Sequence, residues 1–387
     1  MNKIFIIPSY LEECDGFYTR SCKIVENNSE EILWFRFPSS ITPPANDDCD
    51  SYLLAVLMDG MKKKLDIHVK GGVSKSLLIN LDEYQAIWNK WCPKEYSIIK
   101  ITVDFFQEEN VSARGNVCAF SGGLDSTFSV WRHTQKKSAY RNFKINYCSL
   151  IHGFDIPLKD TLAFEKVFSN SSKTLADIGL TLVPIHTNYR EISKAKWEHS
   201  HASALVAVFS ILKATASGCL IGSSYPYSYL NFPWGSTPIN DYLLSSESFN
   251  VIHDGASHTR TEKTNEIIDW QTGIENLRVC WQGKEKSGNC GVCEKCIRTK
   301  LNFKACGTDF PSCFPYADRQ ALDFSHIRLN APGIKKDWQQ IVDFAKNNNI
   351  NAPWVKKAEQ LINQKSLLDH LLPKGSKMRK LVSKLKN

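Results

Sequence analysis

The 387-residue sequence has no long apolar run. Its start, Met1-Asn2-Lys3-Ile4-Phe5-Ile6-Ile7-Pro8, is apolar for about four residues before a proline, short of the roughly 7–15 that a secretory signal core needs. The stretch from Ala204 to Leu212 falls below the roughly 18 residues of a membrane span. These absences exclude a membrane-embedded class and predict a soluble, cytoplasmic protein. Internal repeats and low-complexity segments are also missing, which argues against solenoids and fibres. What is present is ordinary globular material, 42% hydrophobic and 23% charged, long enough for two folded units. The net charge of +8 admits an anionic partner such as a nucleotide or nucleic acid without requiring one. Part of the excess lies in Lys374, Lys377, Arg379, Lys380, Lys384 and Lys386, a basic amphipathic tail that reads as a solvated helix end.

Thirteen cysteines are present, and only four cluster. Cys118, Cys148 and Cys219 stand singly in apolar segments, where a reduced thiol behaves as a small hydrophobe. With no export signal, clustered cysteines point to metal binding in a reducing compartment.

Up to about Ser112 the chain reads as a small α+β unit. Ile4–Ile7, Ile32–Phe37, Leu65–Val69 and Ile98–Phe105 have strand patterning, and Asp50 and Ser74 are placed to N-cap two helices. A polar hinge, Gln107 to Gly115, separates it from a second unit, residues 113–336. There strands at Asn116–Phe120, Phe143–Ile151, Thr181–Ile185 and Cys219–Ile221 alternate with helices near Asp160–Ile178 and Glu198–Ala216. This grammar predicts an α/β fold, a parallel sheet with helices on both faces. From Asp337 onward a helical C-terminal appendage is expected.

The first strand of this unit runs into Ser121-Gly122-Gly123-Leu124-Asp125-Ser126-Thr127 and then a helix. Glycines let backbone amides turn toward an anion, and a helix start adds unpaired N–H groups and a positive dipole end. Ser121, Ser126 and Thr127 can donate further hydrogen bonds, while Asp125 is placed to cap the helix or orient a magnesium-bound phosphate. No Gly-Lys-Ser/Thr follows, so this is not a Walker loop. At these residues the sequence resembles the PP-loop ATP pyrophosphatase superfamily, which cleaves ATP between its α- and β-phosphates.

Cys280, Cys290, Cys293 and Cys296 have the spacing C-x9-C-x2-C-x2-C. Two-residue gaps let thiolates converge, and four sulfurs close a tetrahedral structural zinc site; spacing alone leaves an iron–sulfur cluster open. With the loop and this cluster together, residues Asn116 to Gly307 resemble 7-cyano-7-deazaguanine synthases. The resemblance implies an adenine nucleotide α-hydrolase-like fold, ATP bound with Mg2+ at Ser121–Thr127, and zinc on the four cysteines. It also implies adenylation of a 7-carboxy-7-deazaguanine-like carboxylate or amide, with AMP then displaced by an amine. Gly222 and Tyr225-Pro226 match the family's glycine and Tyr-Pro segment after a strand. The family's Pro-Gly-Arg-Asn stretch is absent, Trp197-Glu198-His199-Ser200-His201 standing in its place, and short members lack the N-terminal unit. Relatives with such extensions are expected in phage-defence operons, where the amine acceptor is a protein.

Other polar groups complete the expected site. His152 and Asp155 follow a strand at the sheet's carboxyl edge, and Glu198, His199 and His201 open a helix. Arg260 and Lys263 offer cations for departing pyrophosphate, with Thr261 able to cap that helix. Ser224, Tyr225 and Trp234 are candidates for lining the substrate pocket. In the resulting reading Asp125, Arg260 and Lys263 are catalytic. The alternatives are a PP-loop enzyme that modifies or thiolates tRNA and a nucleotide-binding defence regulator without turnover. A thiolase would need a cysteine pair at the site, for which only Cys118 and Cys148 come into question.

Overall fold

The computed structural model describes residues 3–27, 29–107, 115–230, 233–280, 282–283, 285–315, 322, 324, 326–329 and 331–364. The basic tail and most of the expected hinge lie outside the described residues.

Eleven strands form one sheet. In chain order they are β1 (Lys3–Pro8), β2 (Glu12–Cys14), β3 (Phe17–Glu26), β4 (Ser29–Pro38), β5 (Asp66–Ser74), β6 (Ile101–Gln107), β7 (Asn116–Ala119), β8 (Ile145–His152), β9 (Leu182–Thr187), β10 (Gly218–Gly222) and β11 (Asn250–Asp254). The sheet order is β11-β10-β7-β8-β9-β4-β3-β1-β5-β6, with β2 on β3. From β11 to β9 every pairing is parallel, as the alternating grammar predicts. The fold is therefore α/β with a mostly parallel sheet.

The two halves of the chain meet edge to edge, because β4 pairs antiparallel with β9 through Phe35–Thr187 and Arg36–His186. Asn188 reinforces the seam: its side-chain oxygen accepts from the Trp34 amide at 3.0 Å and its amide donates to the Ile32 carbonyl at 2.7 Å. The hairpin of β3 with β4 and the edge strand β11 were not expected from the sequence. β3 interleaves Arg20 and Lys23 with apolar residues, and Arg20 is buried only because Pro44, Ala45 and Asp48 offer it carbonyls.

On one face, helices α1 (Asp50–Lys63), α2 (Lys75–Trp91) and α6 (Trp197–Ser210) share a core. That core runs from Ile4 and Leu33 to Val183 and Val251, so both halves fold against the same apolar layer. The opposite face carries α3 (Leu124–Thr134) and α4 (Thr161–Ala176), whose Val130, Phe164 and Val167 pack on β7 and β8. The other helices are the short α5 (Tyr189–Ile192), α7 (Arg260–Ile267), α8 (Gln271–Glu275) and α9 (Glu294–Ala305). Last come α10 (Pro332–Asn347), which starts before Asp337, and α11 (Pro353–Asn363). Both turn apolar stripes onto Ile297, Leu301 and Ala305 of α9, so the appendage is packed on the main body. No helix among the described residues is long and apolar enough to cross a membrane.

Asp50 does not cap α1. It is the first helical residue, and its carboxylate accepts from the Ser74 amide at 2.8 Å and hydroxyl at 2.6 Å. Ser74 does occupy the N-cap of α2, but its hydroxyl serves Asp50 instead of the helix. Buried Asp48 and Asp50 both pair with Lys213 beyond α6. Burial first, then the Asp50 charge, push Asp48 up to about 6 against the opposing pull of Lys213. A raised carboxyl binds its proton more tightly in the folded state, so this contribution to stability is full below about pH 4 and lost as pH rises to about 6. We expect Asp48→Asn to flatten that part of the stability profile, measured by urea unfolding at pH 4.5 and pH 7.

Candidate nucleotide site and cysteine cluster

The order β9-β8-β7-β10-β11 reverses direction between β7 and β10, and ligands of open α/β sheets bind at the carboxyl ends of strands at such a point. The Ser121–Thr127 segment sits there. Gly122 has φ +74°, and its carbonyl accepts from the Arg278 amide at 2.8 Å. Gly123 is the N-cap of α3, with no side-chain cap, so Asp125 does not cap the helix. Ser121, Gly123, Leu124, Asp125 and Ser126 line a small cleft. Gly122 and the buried Thr127 support the loop from behind.

Asp125 lies at the centre. Lys263 Nζ reaches its Oδ1 at 2.8 Å, and Arg260 Nη2 its Oδ2 at 3.0 Å. Burial pushes the Asp125 carboxyl up, but the Arg260 and Lys263 charges outweigh it and hold it well below the usual carboxylate range. Both cations come from the first turn of α7, three residues apart on one face. Their charge opposes the dipole at a helix start, and Asp125 offsets it. The cap of α7 is Thr259, in a reciprocal capping box with Glu262. Thr261 instead donates to Asn302 Oδ1 at 2.9 Å. Lys263 is 1% exposed and also donates to the Ser223 carbonyl and hydroxyl at 2.6 and 3.0 Å, tying α7 to the end of β10.

Gly222, the last residue of β10, passes under this arrangement. A Cβ there would stand 3.0 Å from the Asp125 carbonyl group. Gly222→Val is expected to displace the start of α3 and weaken nucleotide binding about 10-fold or more, while melting temperature changes by a few degrees; titration calorimetry and thermal melts check both.

The far wall of the cleft is α9 with the arginines it organises, none of which the sequence analysis identified. Arg298 pairs with Glu294 at 3.1 Å and with Asp337 of α10, and Asp337 also holds Arg260 at 2.8 Å. Burial draws Arg298 down to about 10. Arg278 donates from Nε to the Ser121 carbonyl at 3.3 Å and approaches Asp155 at 3.9 Å. These residues are scattered over sixty positions without a motif, so no local signal could have found them.

The four cysteines converge as their spacing predicts, all ligand atoms lying within 4.8 Å of one another. Cys280–Cys293 and Cys290–Cys296 sulfur separations are 3.7 and 3.9 Å, against about 3.8 Å for a tetrahedral ion with 2.3 Å bonds. Such a cluster suits a single ion such as zinc, since thiolates on separate irons of an iron–sulfur cluster would stand farther apart. Backbone amides of Gly283 and Cys293 point at the Cys280 and Cys290 sulfurs at 3.3 and 3.4 Å. Gly291 takes φ +78° in the turn between ligands. Cys293 is the N-cap of α9 and Cys296 lies in its first turn, so the cluster sets the helix that walls the cleft.

The expected substrate residues divide. Tyr225 is under the Arg260 guanidinium, 5.9 Å from its ring centroid, and 5.7 Å from the Trp234 ring; Ser224, half-buried, is adjacent. Asp155 is exposed beside Arg278. His152 turns away from the cleft: it stacks on Phe164 at 4.4 Å and meets His186 Nδ1 at 3.2 Å beneath α4. Burial pulls it below the ordinary histidine value, as packing in an apolar layer requires. His199 also faces elsewhere, bonding the Tyr96 hydroxyl at 3.0 Å and packing on Trp88. Glu198 is exposed, with its carbonyl accepting from the Gly235 amide at 2.8 Å. His201 Nδ1 donates to the Trp197 carbonyl at 3.1 Å, and the ring packs on Trp234. It supports Trp234 from below. Cys118 and Cys148 are fully buried core thiols.

Comparison with known proteins finds no matching family, no matching characterised protein and no matching solved structure.

Proposed function

We propose that the chain is an ATP-dependent, C–N bond-forming ligase that activates a substrate oxygen as an adenylate. The observation that carries this reading is the cleft itself: a glycine-rich loop and helix start facing Arg260, Lys295 and Arg298 at the sheet's switch point. The Ser121 and Ser126 hydroxyls and the loop amides take the phosphates. Asp125 is the one loop carboxylate at the cleft and would hold a magnesium ion, which would supply charge neutralisation.

A carboxylate or amide oxygen attacks the α-phosphorus and the bond to the bridging oxygen of the β-phosphate breaks. Pyrophosphate leaves with Lys263 and Arg260 neutralising its charge. On the adenylated carboxylate an amine nitrogen attacks the activated carbon, AMP departs, and the nitrogen releases a proton to solvent, leaving the amide. On the adenylated amide the C–O bond to AMP breaks as the nitrogen gives up its protons to solvent, leaving the nitrile. Tyr225 and Trp234 offer aromatic faces to a deazapurine-like base.

The test is product analysis of metal-loaded protein with Mg-ATP, 7-carboxy-7-deazaguanine and ammonia. AMP, pyrophosphate and an amide or nitrile base support the assignment. Protein that binds ATP yet yields neither AMP nor altered base under these conditions sinks the deazapurine substrate and redirects the search to a protein or tRNA acceptor or to a regulator.

A further inference from the structure

Helix α9 presents three different faces. Ile297, Leu301 and Ala305 meet α10 and α11, Cys296 and Phe303 belong to the cluster around the thiolates, and Lys295, Arg298, Thr299 and Asn302 line the cleft. The last four recur at i, i+3, i+4 and i+7, a single helical stripe opposite the Ser121–Ser126 loop.

Two features of this stripe have no use in the apoprotein. Asn302 is fully buried, accepts from the Thr261 hydroxyl at 2.9 Å, and its amide nitrogen has no hydrogen-bond partner among the described residues. A buried donor without an acceptor is costly unless a ligand takes it up. Lys295 makes no ion pair and no side-chain hydrogen bond among the described residues, although it lines the same cleft. Arg260, Lys295 and Arg298 line the cleft with Asp125 as its one lining carboxylate, so the lining carries an excess of positive charge.

We infer that the Lys295, Thr299 and Asn302 stripe is a second phosphate-binding element, which takes the terminal phosphates of a nucleoside triphosphate and the pyrophosphate released from it. The inference rests on the ATP reading and extends it, dividing one polyphosphate between the Ser121–Ser126 loop and α9. The metal cluster then acts on the reaction indirectly, by fixing the helix that carries the stripe.

The test is titration calorimetry of the metal-loaded protein with inorganic pyrophosphate, Mg-ATP and AMP, for wild type, Lys295→Met and Lys295→Arg, with metal content measured for each. The expected result for Lys295→Met is a loss of about 10-fold or more in pyrophosphate and ATP affinity with AMP unchanged, and recovery in Lys295→Arg. If Lys295→Met loses metal, Thr299→Val replaces it, with the same selective loss at smaller amplitude. Equal pyrophosphate and ATP affinity in wild type and variant overturns the α9 element while leaving the loop site standing. Failure of wild type to bind either ligand overturns the ATP reading and this inference with it.

Discussion

Asp125→Asn is expected to abolish AMP formation, by about 100-fold or more, while pyrophosphate binding is kept or tightened. The carboxylate neutralises Lys263 and Arg260 in the apoprotein, so its loss raises the positive potential of the cleft for a static anion. Turnover suffers because the one loop carboxylate that would hold magnesium is gone. Steady-state AMP release and pyrophosphate calorimetry separate the two effects. The same variant leaves Lys263 buried without its Asp125 counter-ion, while Arg260 keeps Asp337, a loss of about 3 kcal/mol or more for a broken buried pair. Because the Asp125 carboxyl is held below its ordinary value, its stabilising contribution is present above about pH 4 and disappears as pH falls through the folded value. The difference in stability between wild type and Asp125→Asn should therefore narrow on acidification below pH 4. A variant that releases AMP at the wild-type rate would remove Asp125 from the chemistry.

Stripping the metal, or Cys293→Ser, is expected to cost both stability and binding. The four cysteines tie the loop segment carrying Arg278 to the start of α9, and Arg278 in turn holds the Ser121 and Gly122 carbonyls. Structural zinc sites contribute on the order of 10 kcal/mol of apparent binding energy to folding. Calorimetry with and without chelator should show a melting temperature lower by roughly 10 °C or more, and nucleotide affinity should fall with it. Full nucleotide affinity in metal-free protein would show that α9 and the loop stand without the cluster.

Some of this molecule is legible residue by residue. The loop at Ser121–Thr127 and the C-x9-C-x2-C-x2-C spacing are local devices, in which the chemistry and the backbone geometry reside in a few neighbouring positions. The strand–helix alternation from Asn116 onward is equally local, and the parallel sheet follows from it. Histidines read from position alone fared differently. His152 and His199 end strands or open helices near the sheet's carboxyl edge, yet their rings turn into aromatic packing at Phe164 and Trp88. Sequence places a residue at an edge, while the neighbouring core decides which way its side chain turns.

The α/β class, the glycine-rich loop and the four-cysteine cluster are legible in residue order, because each is set by patterns within short segments. Tertiary structure alone decided that the N-terminal strands continue the same sheet through β4 and β9, since that pairing joins residues about 150 positions apart. It also decided the electrostatics of the cleft. Asp125, Arg260, Arg298 and Asp337 form one buried network drawn from four helices, and the net charge offered to a ligand exists only after all four are packed together.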